Sequence, residues 1–118
     1  MNRVLGMLGL CARARKLITG EKAVIQAVRA GSACAVALDG AASENAVKAV
    51  SQACQTHGVP LIRTEPLALG DAIGKPGRMA AAVTDPGLAG GVLKAAGINN
   101  KANDPRKGGE VRRSDELS

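Results

Sequence analysis

Residues 17–31 read LITGEKAVIQAVRAG, and the chemistry they could perform begins at Gly20, Glu21 and Lys22. A short β-prone run ends at Thr19, and a helical pattern runs from residue 21 to Gly31. Only a glycine and a charged pair separate the two. A glycine lets the backbone approach another molecule closely. The helix start behind it offers N–H groups without intrahelical acceptors and a partial positive charge, a combination that suits phosphate. The same glycine equally describes a plain strand-to-helix hinge.

Other chemistry is thinly represented. The three cysteines, Cys11, Cys34 and Cys54, are widely spaced, lie among apolar residues and form no C-x-x-C pair, and His57 is the single histidine. A zinc site is therefore not expected, and the cysteines read as small buried hydrophobes in the reduced state. His57 reads as a polar residue ending its helix. The chain carries a net charge of +6 and no Phe, Tyr or Trp. A basic balance without membrane features points to nucleic acid as the polyanion. The missing aromatics exclude an RNA-recognition motif and argue against an aromatic-dependent single-strand groove, so an RNA-binding surface here must use backbone amides, polar side chains, arginine planes and shape. No run approaches the length of a membrane span. The N-terminal segment MNRVLGMLGLCARARK has Arg13, Arg15 and Lys16 where a signal cleavage site should lie, so a cytoplasmic protein is expected.

The elements that must position Gly20 alternate along the chain. Helices are expected over 2–14, 21–30, 43–56, 64–74 and 85–96, with strands at 16–19, 33–39, 59–63 and 78–84. Ser43 is a good N-cap, Asp85 followed by Pro86 is a strong helix start, and Gly31, Gly58, Gly74 and Gly97 are stop signals. Thr64 or Glu65 is the expected cap of the fourth helix, with Pro66 near its first turn. Val24, Ala27 and Val28 should face inward, as should Val47, Val50, Cys54, Leu88, Val92 and Leu93. The fold class expected is α/β: a three-layer α-β-α sandwich with alternating helices around a mixed four-stranded sheet. Residues 1–98 form the expected domain. Residues 99–118, NNKANDPRKGGEVRRSDELS, carry five basic and four acidic residues with almost no apolar ones. They read as a flexible polar tail.

Four stretches, LGLCARARKLITGEKAV, IQAVRAG, ASEN and LGDAIGKPGRMAAAVTD, occur in an order and spacing that resembles a known family. The chain is similar over about residues 3–96 to the kink-turn-binding ribosomal proteins of the large-subunit seven-Ae/thirty-e type, in particular their short bacterial YlxQ and YbxF branch. The resemblance implies binding of kinked RNA helices through the start of the second helix and a loop before the last strand. The family signature at that helix is Gly-x-Asn-Glu-x-x-Lys. Here Gly20 is kept, Lys22 stands where asparagine is usual, Ala23 where glutamate is usual and Gln26 where lysine is usual. The second contact loop would be Lys75, Pro76, Gly77 and Arg78.

The RNA-binding residues expected on this basis are Lys16, Gly20, Glu21, Lys22, Gln26, Lys75, Pro76, Gly77 and Arg78. Lys22 and Gln26, at i and i+4, share a helix face. Gln26 can donate to and accept from a base edge. Lys75 and Arg78 add charge, arginine can make bidentate contacts, and Pro76 stiffens the loop. As isolated residues, Lys22 and Gln26 read as a solvated helix face and GKPGR as an ordinary turn. Arg13, Arg15 and Lys16 can simply complement a helix end. The expected function is non-enzymatic binding of structured RNA, with ribosomal RNA or the ribosome as partner, by a monomer that needs no cofactor, metal or small-molecule substrate. The alternative is a protein-interaction module with little RNA affinity. An enzyme ranks below both, because no acid–base pair, nucleophile–base pair or metal cluster is evident.

Overall fold

A computed structural model of the chain describes residues 3–98. The element order is α1 (Arg3–Arg13), β1 (Leu17–Thr19), α2 (Glu21–Arg29), β2 (Ala35–Asp39), α3 (Glu44–His57), β3 (Leu61–Thr64), α4 (Ala68–Ile73), β4 (Ala80–Val83) and α5 (Pro86–Ala95). The expected tail at 99–118 lies outside the described residues. Local signals explain most boundaries. Ser43 caps α3 by accepting from the Ala46 N–H, and Asp85 caps α5 by accepting from the Leu88 N–H, with Pro86 at its first position.

The fourth helix departs from expectation. It begins at Ala68 with Leu67 as its N-cap, so neither Thr64 nor Glu65 caps it and Pro66 lies outside it. Thr64 instead closes β3, where its side chain is buried.

The strand order is β1-β4-β2-β3, with β4 antiparallel to both β1 and β2 and only β2–β3 parallel. This mixed sheet is the middle of three layers. Alternation along the strands sorts the core into two halves. Ala35, Ala37, Ala81 and Val83 point towards α1, α4 and α5, where they meet Leu8, Leu69, Val92 and Leu93. Val36, Leu38, Ala80 and Ala82 point the other way and meet Val24, Val28, Val50 and Cys54 of α2 and α3. Small side chains let the helices sit close: a Cβ added at Gly9 of α1 would lie 2.8 Å from the Ala72 carbonyl oxygen of α4.

One buried charge ties the loops at the carboxyl ends of β2 and β3 together. Asp39, the last residue of β2, is fully buried. Its Oδ2 accepts from the Ala41 N–H at 2.8 Å and from the Leu67 N–H at 2.7 Å. Its Oδ1 accepts from the Leu69 N–H at 3.0 Å and from the Thr64 hydroxyl at 3.2 Å. Burial alone would push its pKa up, but the hydrogen bonds from Ala41, Leu69, Leu67 and Thr64 outweigh burial and hold it below the ordinary value. The carboxylate thus anchors the β2–α3 loop and takes the place of a side-chain cap at the start of α4.

Two stability predictions follow from this packing. Gly9→Ala should destabilise by about 1–3 kcal/mol because backbone must move, whereas Gly6→Ala, with nothing within 4 Å, should stabilise by about 0.5–1 kcal/mol. Chemical denaturation followed by far-ultraviolet circular dichroism checks both. For Asp39 the sign is set by its lowered folded-state pKa. Its contribution is present above the unfolded-chain value of about 4 and is lost as pH falls through the lower folded value. Asp39→Asn offers one oxygen and an NH2 group to four donors, so it should cost about 3 kcal/mol at pH 7. That gap from the parent should narrow as pH drops below about 4, and a gap that stays constant down to pH 2 would contradict the ionised carboxylate.

Candidate functional site

Backbone pairing gathers several loops at one end of the sheet. The Gly20 N–H donates to the Ala80 carbonyl at 3.0 Å, and the Asp39 N–H donates to the Met79 carbonyl at 2.8 Å. Asp39 stands opposite Thr64 in the β2–β3 register. The carboxyl ends of β1, β2 and β3 therefore lie together, with the starts of α2, α3 and α4 directly behind them. The exposed turn Lys75–Arg78 leads into β4 at this same end. The helix starts here turn their partial positive ends in one direction.

The starts of these three helices are not equivalent. The Ser43 hydroxyl accepts from one first-turn amide of α3, that of Ala46, and the Asp39 carboxylate accepts from the Leu67 and Leu69 amides at the start of α4. The N-cap of α2 is Gly20, which has no side chain to offer. The Glu21, Lys22 and Ala23 amides have no recorded acceptor within the described structure, while the Val24 N–H closes on the Gly20 carbonyl at 2.9 Å. Gly20 has φ 101° and ψ 143°, a backbone conformation close to glycine-only. The hinge is thus real, and it leaves a helix mouth open rather than capped.

Arg78 stands over this mouth. A Cβ built on Gly20 would lie 3.3 Å from the Arg78 Nη1 atom, so the guanidinium crosses the space a side chain at position 20 would need. Arg78 reaches this place through a tight turn, its N–H donating to the Lys75 carbonyl at 3.1 Å. That turn is pressed against α4: a Cβ at Gly70 would come within 2.8 Å of the Lys75 carbonyl oxygen and 2.9 Å of the Gly77 nitrogen. A physical chain therefore runs from the Asp39 carboxylate through the start of α4 and Gly70 to the turn that carries Arg78.

Of the expected site residues, Gly20, Glu21, Lys22 and Lys75–Arg78 are brought to this end, and all except half-buried Gly20 are exposed. Gln26 is exposed one turn further along α2 from Lys22. Lys16 is not brought here. Its carbonyl accepts from the Thr84 N–H at the opposite end of β4, which leaves it four residues from Gly20, roughly 13 Å along an extended strand. Three residues escaped the sequence reading. Asp39 was visible only as an acid ending an apolar strand. Arg29 extends the Lys22–Gln26 stripe by another turn of α2. Leu67 is 63% exposed beside this surface, with φ 66° and its N–H held by Asp39.

Acidic groups temper the charge: Glu21, Glu44 and Glu65 are exposed at this end. Burial raises the pKa of the Cys11 thiol, with Asp85 adding to the effect, and pushes that of Cys54 up to about 11. Among the described residues, no three His, Cys, Asp or Glu side chains converge as a metal site, and no helix is long and apolar enough to cross a membrane. A separate shallow groove of about 460 Å³ lies between α1 and α4, lined by residues that include Leu5, Gly9, Arg13 and Asp71.

Comparison with known proteins gives a consistent picture. The model of the ribosomal protein L7Ae/L30e/S12e/Gadd45 family matches residues 2–90. RNA-binding protein YlxQ of Bacillus subtilis (strain 168) is 44% identical over 84 residues, covering 70% of this chain and 84% of that protein. Among solved structures, a protein of unknown function from Bacillus halodurans C superposes with a TM-score of 0.77 at 33% identity, over 80% of this chain and 97% of that one. The 15.5kD RNA binding protein of Giardia lamblia shares the fold, with a TM-score of 0.66 at 22% identity over 80% and 82% of the two chains. The matched residues 2–90 include Gly20, α2 and the Lys75–Arg78 turn, and the chain belongs to the ribosomal protein L7Ae/L30e/S12e/Gadd45 family, on the side of its YlxQ-like branch.

Proposed function

We propose that this protein binds structured RNA, without catalysis, through the end of the sheet that carries Gly20 and Arg78. One observation supports the reading most: of the three helices starting here, α2 alone has no side chain accepting from its first turn, and an arginine lies across its mouth. Family membership and the RNA-binding name of the Bacillus subtilis relative support it.

Each part of the surface has a physical role. The Glu21–Ala23 amides donate to phosphate or to guanine edges that the bare Gly20 allows to come close. Arg78 supplies a planar donor fork beside them, and Lys75 adds a point charge. Lys22 and Gln26 extend the contact along α2. With no aromatic side chain in the sequence, recognition rests on groove shape and exposed base edges. A kinked duplex presents both, whereas a regular A-form helix hides its edges in a deep groove. The RNA class we propose is therefore the kink-turn, with ribosomal RNA as its source and one protein copy per site.

The alternative, a protein-interaction module, has the α1–α4 groove and the exposed Leu10 in its favour. It predicts capture of proteins from nuclease-treated lysate together with negligible affinity for a kink-turn hairpin.

Binding to a labelled kink-turn hairpin, read by gel shift across a salt series, tests the proposal. Arg78→Ala should weaken binding about tenfold and Lys75→Ala about threefold, each reducing the slope of log K against log salt by roughly 0.7–0.9. Unchanged affinity in both variants sinks the reading. Gln26→Lys restores the family's usual residue and should tighten binding; weaker binding in that variant would place the contact elsewhere.

A further inference from the structure

We propose a second RNA contact at the opposite end of β1, where Arg13, Arg15 and Lys16 hold the phosphate backbone of the duplex that flanks the recognised RNA. The inference rests on the RNA-binding reading above but uses different residues. All five helices end in the same hydrogen-bonded motif, with a left-handed residue just past the last turn. In α2, α3, α4 and α5 that residue is a glycine: Gly31, Gly58, Gly74 and Gly97. In α1 it is Arg15, at φ 60°, its N–H donating to the Ala12 carbonyl and the Lys16 N–H to the Cys11 carbonyl. Glycine is the favoured residue at this position and a Cβ there is strained. The sequence uses glycine four times and accepts strain once, where it places an arginine.

That arginine is not isolated. Arg13, Arg15 and Lys16 are all exposed and make no ion pair among the described residues; the Arg13 guanidinium lies back along α1, 3.8 Å from the Cβ position of Gly9 in the groove that Asp71 also lines, and reaches the RNA by a change of rotamer. Asp85, next to Lys16's partner Thr84, keeps its negative charge while one of its oxygens accepts from the Leu88 N–H, so one acid lies among the cations of this end. Arg29 ends α2 at this same end of the sheet, since the Cys34 N–H that follows pairs with the Val83 carbonyl next to Lys16's partner Thr84. Lys22, Gln26 and Arg29 fall at i, i+4 and i+7, so one exposed face of α2 links the two ends.

The chemistry of the patch points to phosphate. It holds cations, and a regular duplex presents them with evenly spaced phosphates while its base edges are closed off in a deep groove. The two ends are separated by roughly 13 Å of β1, less than one turn of an A-form helix, so a single continuous duplex can touch both. Sequence-independent contacts of this kind add affinity and salt dependence without adding specificity.

Two RNAs test the proposal: a minimal kink-turn hairpin, and the same hairpin with one arm extended by about ten base pairs. The variant Arg13→Gln/Arg15→Gly/Lys16→Gln should bind the extended RNA about tenfold or more weakly, with a salt slope lower by roughly 2. It should bind the minimal RNA within about twofold of the parent. Arg15→Gly alone should weaken binding to the extended RNA while raising the melting temperature, an opposite pairing that a purely structural arginine cannot produce. If the triple variant binds both RNAs like the parent while Arg78→Ala does not, the second contact is wrong and the first site stands. An equal loss on both RNAs also overturns it, because the flanking duplex would then play no part. If neither Arg78→Ala nor the triple variant changes binding to either RNA, both readings fall.

Discussion

A single ionised carboxylate, sealed from solvent, holds in shape the end of the sheet that we propose binds RNA. Asp39 stands where the central strand β2 stops, and its two oxygens take four donors: one from its own following loop, and three from the distant end of β3 and start of α4. Removing such a charge from water is unfavourable unless its lone pairs are filled. Here they are filled largely by backbone amides that would otherwise lie orphaned at a loop and a helix start. The arrangement satisfies both sides at once. It also caps the mouth of α4, as Ser43 caps that of α3, so among the described helices starting at this end only α2 has no side chain accepting from its first turn.

The second constraint is size. The chain has no Phe, Tyr or Trp, and the central strand β4 is three alanines and a valine. Such a sheet lets both helical layers approach closely, and glycines sit at close crossings, Gly9 on Ala72 and Gly70 on the Lys75–Gly77 turn. The same economy governs the surface. A protein without aromatic platforms can grip nucleic acid only by charge, by donors fixed in the backbone and by fit. Each of these depends on rigid placement, which a tightly packed turn and a glycine hinge supply.

Much of the scaffold was legible in the sequence because its signals are local. Ser43, Asp85 and Pro86 mark helix starts through contacts within three residues, and glycines mark the helix ends. The inward faces of α2, α3 and α5 follow from helical spacing. The start of α4 was not legible, because its cap is Asp39, almost thirty residues away in the chain. A local reading assigned that role to Thr64 or Glu65. The site was half legible. Gly20 and the Lys75–Arg78 turn could be singled out, but that Arg78 lies over Gly20 follows from β1 pairing with β4, a register no local pattern encodes. Lys16 shows the converse error. It is close to Gly20 in sequence, yet an intervening strand carries the two to opposite ends of the sheet.

The central claim is that the open amides of α2 and the turn beneath Arg78 form one RNA-contacting surface. Backbone amide chemical-shift mapping of the isotope-labelled protein, titrated with a minimal kink-turn hairpin, tests this most directly. The account requires the largest shifts at residues 20–23 and 75–78, with the amides around His57 and Gly58 at the far end of α3 unmoved. Shifts confined to the α1–α4 groove, or none at residues 20–23 at saturating RNA, would contradict it.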